Sequence, residues 1–299
     1  MGKFTGSIDT NQKLGRLRAY LQAYSIALKD YGFERIYIDA FAGTGSRTET
    51  RAALPLFGPE MAEPEEVDTP GSARLALSIE PPFQAYAFIE KDRGRFAELQ
   101  KLKELHPDRH IALKHGDANQ YVRQLCERIP WNRRQGGISG MRGVVFLDPY
   151  GMEVEWATVE AIAATHALDC WYFFPLSGLY RNAPHDPAKR ETKKDERLDR
   201  VLGATDWRHR WYQHSFERAD MFESETEAIR RADVDRIEAY VKERLQTVFK
   251  GAVLDPYRLR HNNNAPMASL FFAVSNPSPA AVELATRIAG HILRRGNSS

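Results

Sequence analysis

Ile36-Tyr37-Ile38-Asp39-Ala40-Phe41-Ala42-Gly43-Thr44-Gly45 is the stretch that decides the fold. β-Branched and aromatic residues run up to Asp39, and small residues with two glycines follow at once. Gly43 and Gly45 let the backbone turn sharply and approach a ligand where a Cβ would collide. A turn of this kind at the carboxyl end of a first parallel strand is where open α/β sheets hold nucleotide-like cofactors.

Working outward, strands are predicted at Ile36–Phe41, Ala85–Glu90, Ile111–His115, Val144–Asp148, Cys170–Pro175, Val253–His261 and Ser269–Ser275. Helical spacing is found between most of them, at Ser72–Ile79, Arg93–Leu105, Asn119–Arg128 and Glu155–Thr165. A leading helix is predicted over Lys13–Tyr31 from the recurrence of Leu14, Leu17, Tyr20, Leu21, Tyr24, Ile26 and Leu28, with Gly32 closing it. Alternation of this sort implies a mainly parallel sheet covered on both faces. The short segment Asn262–Met267 makes the last two strands a hairpin-like pair. Five βα strands, such a pair and a closing helix at Ala280–Arg294 give an expected fold: a Rossmann-like S-adenosylmethionine-dependent methyltransferase fold, with a seven-stranded sheet.

Two stretches interrupt the pattern. Arg47–Thr69, rich in proline and acids, reads as an excursion or partly mobile loop. Arg181–Lys250 reads as a helical insertion, with an amphipathic run over Glu223–Phe249. The expected organisation is therefore a first part of the core over residues 1–180, the insertion over 181–250, and the last strands and helix over 251–299.

Composition narrows the function. The 299 residues are 42% hydrophobic and 27% charged, as in an ordinary globular protein. A formal net charge of +2 gives no global attraction to nucleic acid, so any such surface must be local. Two cysteines, Cys126 and Cys170, cannot by themselves build a zinc or iron–sulfur cage, and are read as reduced thiols of a cytoplasmic protein. The nine histidines show no paired zinc spacing, so no metal site is expected. No stretch approaches the roughly 20 apolar residues of a membrane span.

The chemistry is carried by four acids, one at each of four strand ends: Asp39, Glu90, Asp117 and Asp148. Asp39, with Phe41, Ala42, Gly43 and Gly45, is placed to hold the cationic amino-acid end of a methyl donor. Glu90, followed by Lys91, suits a pair of ribose hydroxyls. Asp117, followed by Ala118, suits an adenine amino group. The plain alternative for each acid is a turn-former or helix cap. The geometric expectation is that all four converge on one rim of the sheet.

Asp148-Pro149-Tyr150 resembles the Asp-Pro-Pro-Tyr element of methyltransferases acting on base amines, with one proline fewer and Gly151 following. By that resemblance Asp148 and the Pro149 carbonyl would accept hydrogens from the target amine, and Tyr150 would stack on its ring. These three are the candidate catalytic residues. A nicotinamide enzyme is disfavoured, because Thr48 occupies the third glycine position, and a P-loop lacks its Gly-Lys-Ser/Thr ending. Lys189–Arg218 mixes cations with Trp207, Trp211 and Tyr212. It admits two readings, a single-strand stacking surface or a solvated helix with a packed tryptophan pair.

Several segments together resemble the three-Cys-motif partner family, TcmP. They are the leading helix, Tyr37 to Gly45, Pro70 to Leu77, Phe88 to Asp92, Val145 to Met152, Phe173 to Leu176 and Phe271 to Pro277. The resemblance covers nearly the whole chain and is weakest in Arg47–Thr69 and Arg181–Glu217. It implies a methyltransferase-like fold binding S-adenosylmethionine, and a separate partner protein bearing three cysteines of an iron–sulfur, radical-cofactor type. It leaves the substrate open. The expected activity is N-methylation of an amino group on a nucleic-acid base or modified nucleotide. The other expectation is an accessory partner of that three-cysteine protein.

Overall fold

The computed structural model describes residues 8–51, 65–133, 139–217, 226–261 and 264–294. In chain order the elements are α1 (Ile8–Leu28), β1 (Glu34–Asp39), β2 (Ser46–Arg51), β3 (Glu65–Pro70), α2 (Ser72–Leu77), β4 (Ala85–Glu90) and α3 (Arg93–Glu104). There follow β5 (Ile111–His115), α4 (Ala118–Arg128), β6 (Met141–Leu147), α5 (Trp156–Ala164), β7 (Leu168–Phe174) and α6 (Leu176–Asn182). The chain continues through α7 (Thr192–Leu202), α8 (Trp207–Trp211), β8 (Tyr212–Glu217), β9 (Thr226–Arg231) and α9 (Val234–Val248). It ends with β10 (Ala252–Val253), β11 (Tyr257–Arg260), β12 (Pro266–Val274) and α10 (Pro279–Arg294).

The main sheet runs β10-β12-β7-β6-β1-β4-β5, with β11 also paired to β12. Strands β5, β4, β1, β6 and β7 are mutually parallel, and β12 is antiparallel to β7, β10 and β11. An antiparallel strand lodged between the fifth parallel strand and the edge is the expected Rossmann-like methyltransferase topology. The sheet has eight strands where seven were expected, because the span Val253–His261 is two short strands. Asp255 and Pro256 separate them, and proline brings no N–H to the ladder.

One apolar layer packs β1, β4, β6 and β12 under α1, α2, α3 and α10, through Leu17, Tyr20, Tyr37, Phe88, Phe146 and Phe272. The other packs the opposite face under α4, α5 and the chain from α6 to α9. Leu198, Trp207, Trp211, Tyr240 and Leu245 belong to this second layer, so the segment between β7 and β10 shares the core of the sheet. Ile26 falls outside the α1 stripe and is half exposed.

The segment 181–250 is not helical throughout. β8 and β9 form an antiparallel ribbon, and helix resumes only at Val234, where Asp233 caps α9 by accepting the Arg236 amide at 2.9 Å. The predicted amphipathic run over Glu223–Phe249 is thus a strand followed by a helix, and residues 218–225 lie outside those described. The ends of the Arg47–Thr69 excursion likewise pair as the β2–β3 ribbon, with 52–64 outside the described residues.

Candidate functional site

The register of the sheet aligns the four acids. Asp39 lies beside Phe88 of β4 and Phe146 of β6, so Glu90 and Asp148 each sit two residues further along the neighbouring strands. His115 of β5 pairs with Glu90, which puts Asp117 two residues beyond again. All four stand at the carboxyl ends of the contiguous strands β6, β1, β4 and β5. Their surroundings divide them into two regions.

The first region is closed. Asp39 is fully buried and accepts from the Tyr37 hydroxyl at 3.2 Å, the Phe41 amide at 3.3 Å and the Ser72 side chain. Burial, reinforced by the charge of Asp148, raises its pKa to about 7 against the opposing hydrogen bonds. Asp148 accepts from Lys13 Nζ of α1 at 2.6 Å, with side-chain exposures of 6% for the lysine and 12% for the aspartate. The same ammonium lies 4.3 Å from the centre of the Phe173 ring. Lys13 precedes Leu17, Tyr20 and Tyr24 at helical spacing, so the stripe that packs α1 on the sheet also carries the ammonium onto Asp148.

The second region is open. A cavity of about 720 Å³ lies over the ends of β4 and β5, beneath α7 and the loop after β6. Of the predicted site residues, Phe41, Glu90, Lys91, Asp117, Ala118 and Tyr150 line it, and Asp39, Ala42, Gly43, Gly45, Asp148 and Pro149 do not. Glu90 is buried, and its two oxygens accept from the Gly43 amide at 3.0 Å and the Asp92 amide at 2.7 Å. Each carboxylate oxygen has a second lone pair, so acceptor capacity for two hydroxyls remains. Asp117 is exposed and caps α4, accepting the Gln120 amide at 3.0 Å. Tyr150 is 59% exposed at the cavity wall, with the Arg95 guanidinium 4.4 Å from its ring centre.

The two glycines have different surroundings. Gly43 has φ +63°, nothing within 4 Å of its Cβ direction, and an amide aimed at Glu90. Gly45 has φ +73°, and a Cβ there would lie 2.8 Å from Leu102 Cδ2 of α3. Its absent side chain serves helix packing.

The cavity also has parts that sequence reasoning passed over. Asn119 is buried and fastens the post-β6 loop to α4: its amide donates to the Glu153 carbonyl, and its carbonyl accepts from the Glu155 amide and Thr158 hydroxyl, each at 2.9 Å. Met152 and Arg95 are among the other lining residues, as are Arg197 and Arg200, which belong to the Lys189–Arg218 segment whose cations the sequence offered for single-strand binding. For Lys13 the signal was present, a cation in register with the α1 apolar stripe. Ser72 stood within a segment of the family resemblance.

The stacking reading of Trp207 and Trp211 is not what the structure has. Both rings are buried, 5.2 Å apart, and Arg208 and Arg210 of the same helix are paired with Asp199 and Glu243. A packed tryptophan pair is the outcome.

No protein-family profile matches the chain, and no curated protein does. Among solved structures, the chain is similar to protein LPL1258 from Legionella pneumophila, described under DUF519, at 14% identity and TM-score 0.51. The match covers 97% of this chain and 94% of that one. It also aligns with an S-adenosylmethionine-dependent methyltransferase from Clostridium acetobutylicum, at 11% identity and TM-score 0.35, over 90% and 93% of the two chains. At these identities the first likeness speaks for the fold, in agreement with the strand order. No helix among the described residues is long and apolar enough to cross a membrane.

Proposed function

We propose that the protein is an S-adenosylmethionine-dependent methyltransferase that modifies an amino group of a nucleic-acid base or modified nucleotide. One observation carries the reading: four adjacent parallel strands each end in an acid, and an adenosine-sized cavity opens over two of them, Glu90 and Asp117. A volume of about 720 Å³ is in the range of small-molecule sites. Glu90, already oriented by two backbone amides, would accept both ribose hydroxyls. Asp117 would accept from the adenine amine with the lone pairs its capping bond leaves. Asp39, behind the Phe41 amide, would balance the cationic amino-acid end.

The cofactor supplies an electrophilic methyl group. This chain's residues supply the rest. Asp148 and the Pro149 carbonyl would accept the hydrogens of the target amine, aiming its lone pair at the methyl carbon. Tyr150 would hold the planar ring by stacking. For that, Lys13 must yield Asp148 to the amine. A base inside a duplex must first be flipped out, at a cost of a few kcal/mol.

Calorimetry with S-adenosylmethionine and S-adenosylhomocysteine tests the cofactor. Wild type is expected to bind both, and Glu90→Ala to lose at least tenfold in affinity; a wild type that binds neither removes the proposal. For the chemistry, Asp148→Asn is expected to abolish tritiated-methyl transfer while keeping cofactor affinity. Full activity in that variant would refute the role of Asp148.

A second reading has its own support. The ion pair of Lys13 with Asp148 occupies the place assigned to the target amine, and Asp148 is outside the cavity lining. That arrangement suits an accessory protein, which binds a three-cysteine iron–sulfur partner and performs no transfer itself. Co-purification with such a partner, without methyl transfer to added RNA or DNA, would favour it.

A further inference from the structure

The mouth of the cavity is lined by four cations from two separate elements. Lys91 and Arg95 follow β4, and Arg197 and Arg200 come from α7, at helical positions i and i+3 with Val201 beside them on the same face. Among the described residues, none of the four has a carboxylate within 4.0 Å. Neighbouring cations are placed otherwise: Arg190 pairs with Asp195, Lys194 with Glu191 and Arg208 with Asp199.

The carboxylates of the cavity are mostly committed elsewhere. Asp92 caps α3 through the Arg95 amide at 2.9 Å, Asp117 caps α4, Glu90 holds two amides and Glu155 is paired with Arg123 at 2.7 Å. Five carboxylates and four cations line the cavity, so the lining as a whole is of mixed charge; what sets the four cations apart is that, among the described residues, none is ion-paired. Arginine offers a planar fork that matches phosphate oxygens two at a time. Arg95 also backs the ring of Tyr150. Guanidiniums beside an exposed aromatic ring are complementary to a ligand that has both an anionic oxygen cluster and a planar base.

We propose that Arg197 and Arg200 of α7, with Arg95 and Lys91, form a phosphate subsite at the cavity mouth, and that the acceptor is a phosphate-bearing nucleotide whose base lies on Tyr150. The proposal deepens the methyltransferase reading and rests on it for the word acceptor. It gives the segment between β7 and β10 a task, since α7 is the element that brings the second pair of cations over the sheet. The phosphate belongs either to a free nucleotide or to a strand.

The test is fluorescence anisotropy of a labelled single-stranded octanucleotide, as RNA and as DNA, with and without S-adenosylhomocysteine. A 5′-mononucleotide, its dephosphorylated nucleoside and an oligoglutamate peptide serve as competitors. In Arg197→Gln/Arg200→Gln the dissociation constant is expected to rise tenfold or more. The slope of log affinity against log salt is expected to fall by about 1.4, two contacts at about 0.7 each. Lys193→Gln, on α7 but outside the cavity, is expected to match wild type, as is the affinity of the double variant for S-adenosylhomocysteine. Competition by the mononucleotide equal to that of the strand assigns a free nucleotide; competition by the strand alone assigns nucleic acid. Wild-type binding in the double variant overturns the proposal, as does an equal loss in Lys193→Gln or equal competition by the peptide or nucleoside. Should wild type fail to bind S-adenosylhomocysteine yet hold the strand through Arg197 and Arg200, the cofactor reading falls and the phosphate subsite stands.

Discussion

Asp148 and Asp117 end strands of the same sheet and look alike in sequence, yet one is sealed and the other is open to solvent. Asp148 faces a buried ammonium from the first helix, with 12% of its side chain exposed. Asp117 is exposed and serves the backbone of the helix that follows it. The difference arises from what covers each strand end: α1 lies over the β1 and β6 ends, whereas a cavity lies over β4 and β5. A carboxylate at a strand end is therefore a position, and the element packed on it decides whether it becomes ion-pair partner, cap or ligand.

The largest effect expected from this contrast is on stability. Asp148→Ala leaves the Lys13 ammonium buried without its 2.6 Å partner, and breaking a buried pair from one side costs about 3–5 kcal/mol. Replacing both members by apolar groups, Lys13→Met with Asp148→Leu, should recover most of that loss. Urea unfolding reads both variants. A loss below about 1 kcal/mol in Asp148→Ala would mean that the closed region is not closed in solution.

The pairing of residues 13 and 148 also marks where reading the sequence stops. Strand order was legible because apolar β-branched runs such as Val144 to Leu147 end abruptly at acids, and that pattern needs no partner to be seen. The convergence of Asp39, Glu90, Asp117 and Asp148 on one rim followed from it. Which acids are buried did not follow, because burial depends on helices such as α1 and α2, packed onto the strand ends from elsewhere in the chain. The ribbon of β8 and β9 was misread for a related reason: Thr226–Arg231 is short and charged, and its conformation is fixed by pairing with Tyr212–Glu217. Capping and ligand binding by Asp117 draw on the same carboxylate after the same strand, so local sequence does not separate them.

The next effect is a pH dependence carried by two buried acids, Asp39 of the closed region and Asp169 at the amino end of β7. Asp39 and Asp169 both have pKa values raised to about 7, in each case chiefly by burial; the Tyr20 hydroxyl, which donates to Asp169 at 2.6 Å, opposes the rise there. From about pH 4 to about 7 the folded state keeps protons that the unfolded chain releases. Each group therefore lowers stability as pH rises through that window, by up to about 1.4 kcal/mol per pH unit. Asp39→Asn should flatten the profile relative to wild type by up to one such slope. If the cationic end of the cofactor reaches Asp39, binding near pH 7 should also release up to one proton from wild type and none from Asp39→Asn. Calorimetry in two buffers of different ionisation enthalpy measures this. A variant that parallels wild type in both experiments would place the titrating group elsewhere.

On the open side the effects on stability shrink. Asp117→Ala removes a helix cap and should cost about 1 kcal/mol in urea unfolding, while Asp117→Asn, which still caps α4, should cost a few tenths. A loss as large as that of Asp148→Ala would erase the distinction between the two regions.

Tyr150 gives the smallest effect on folding and sharpens the contrast most. Its ring is 59% exposed and touches Arg95, itself only half-buried, so Tyr150→Ala should move the unfolding free energy by no more than about 0.5 kcal/mol. If the ring carries a base, the same change should weaken octanucleotide binding by about 1–3 kcal/mol, roughly 5- to 150-fold. Tyr150→Phe, which keeps the ring face, should retain most of it. A fold that ignores the substitution and a ligand that does not would separate a side chain kept for binding from one kept for packing. Equal small losses in both measurements would assign Tyr150 to the packing of the loop after β6, and the open region would then read its ligand through its carboxylates and cations.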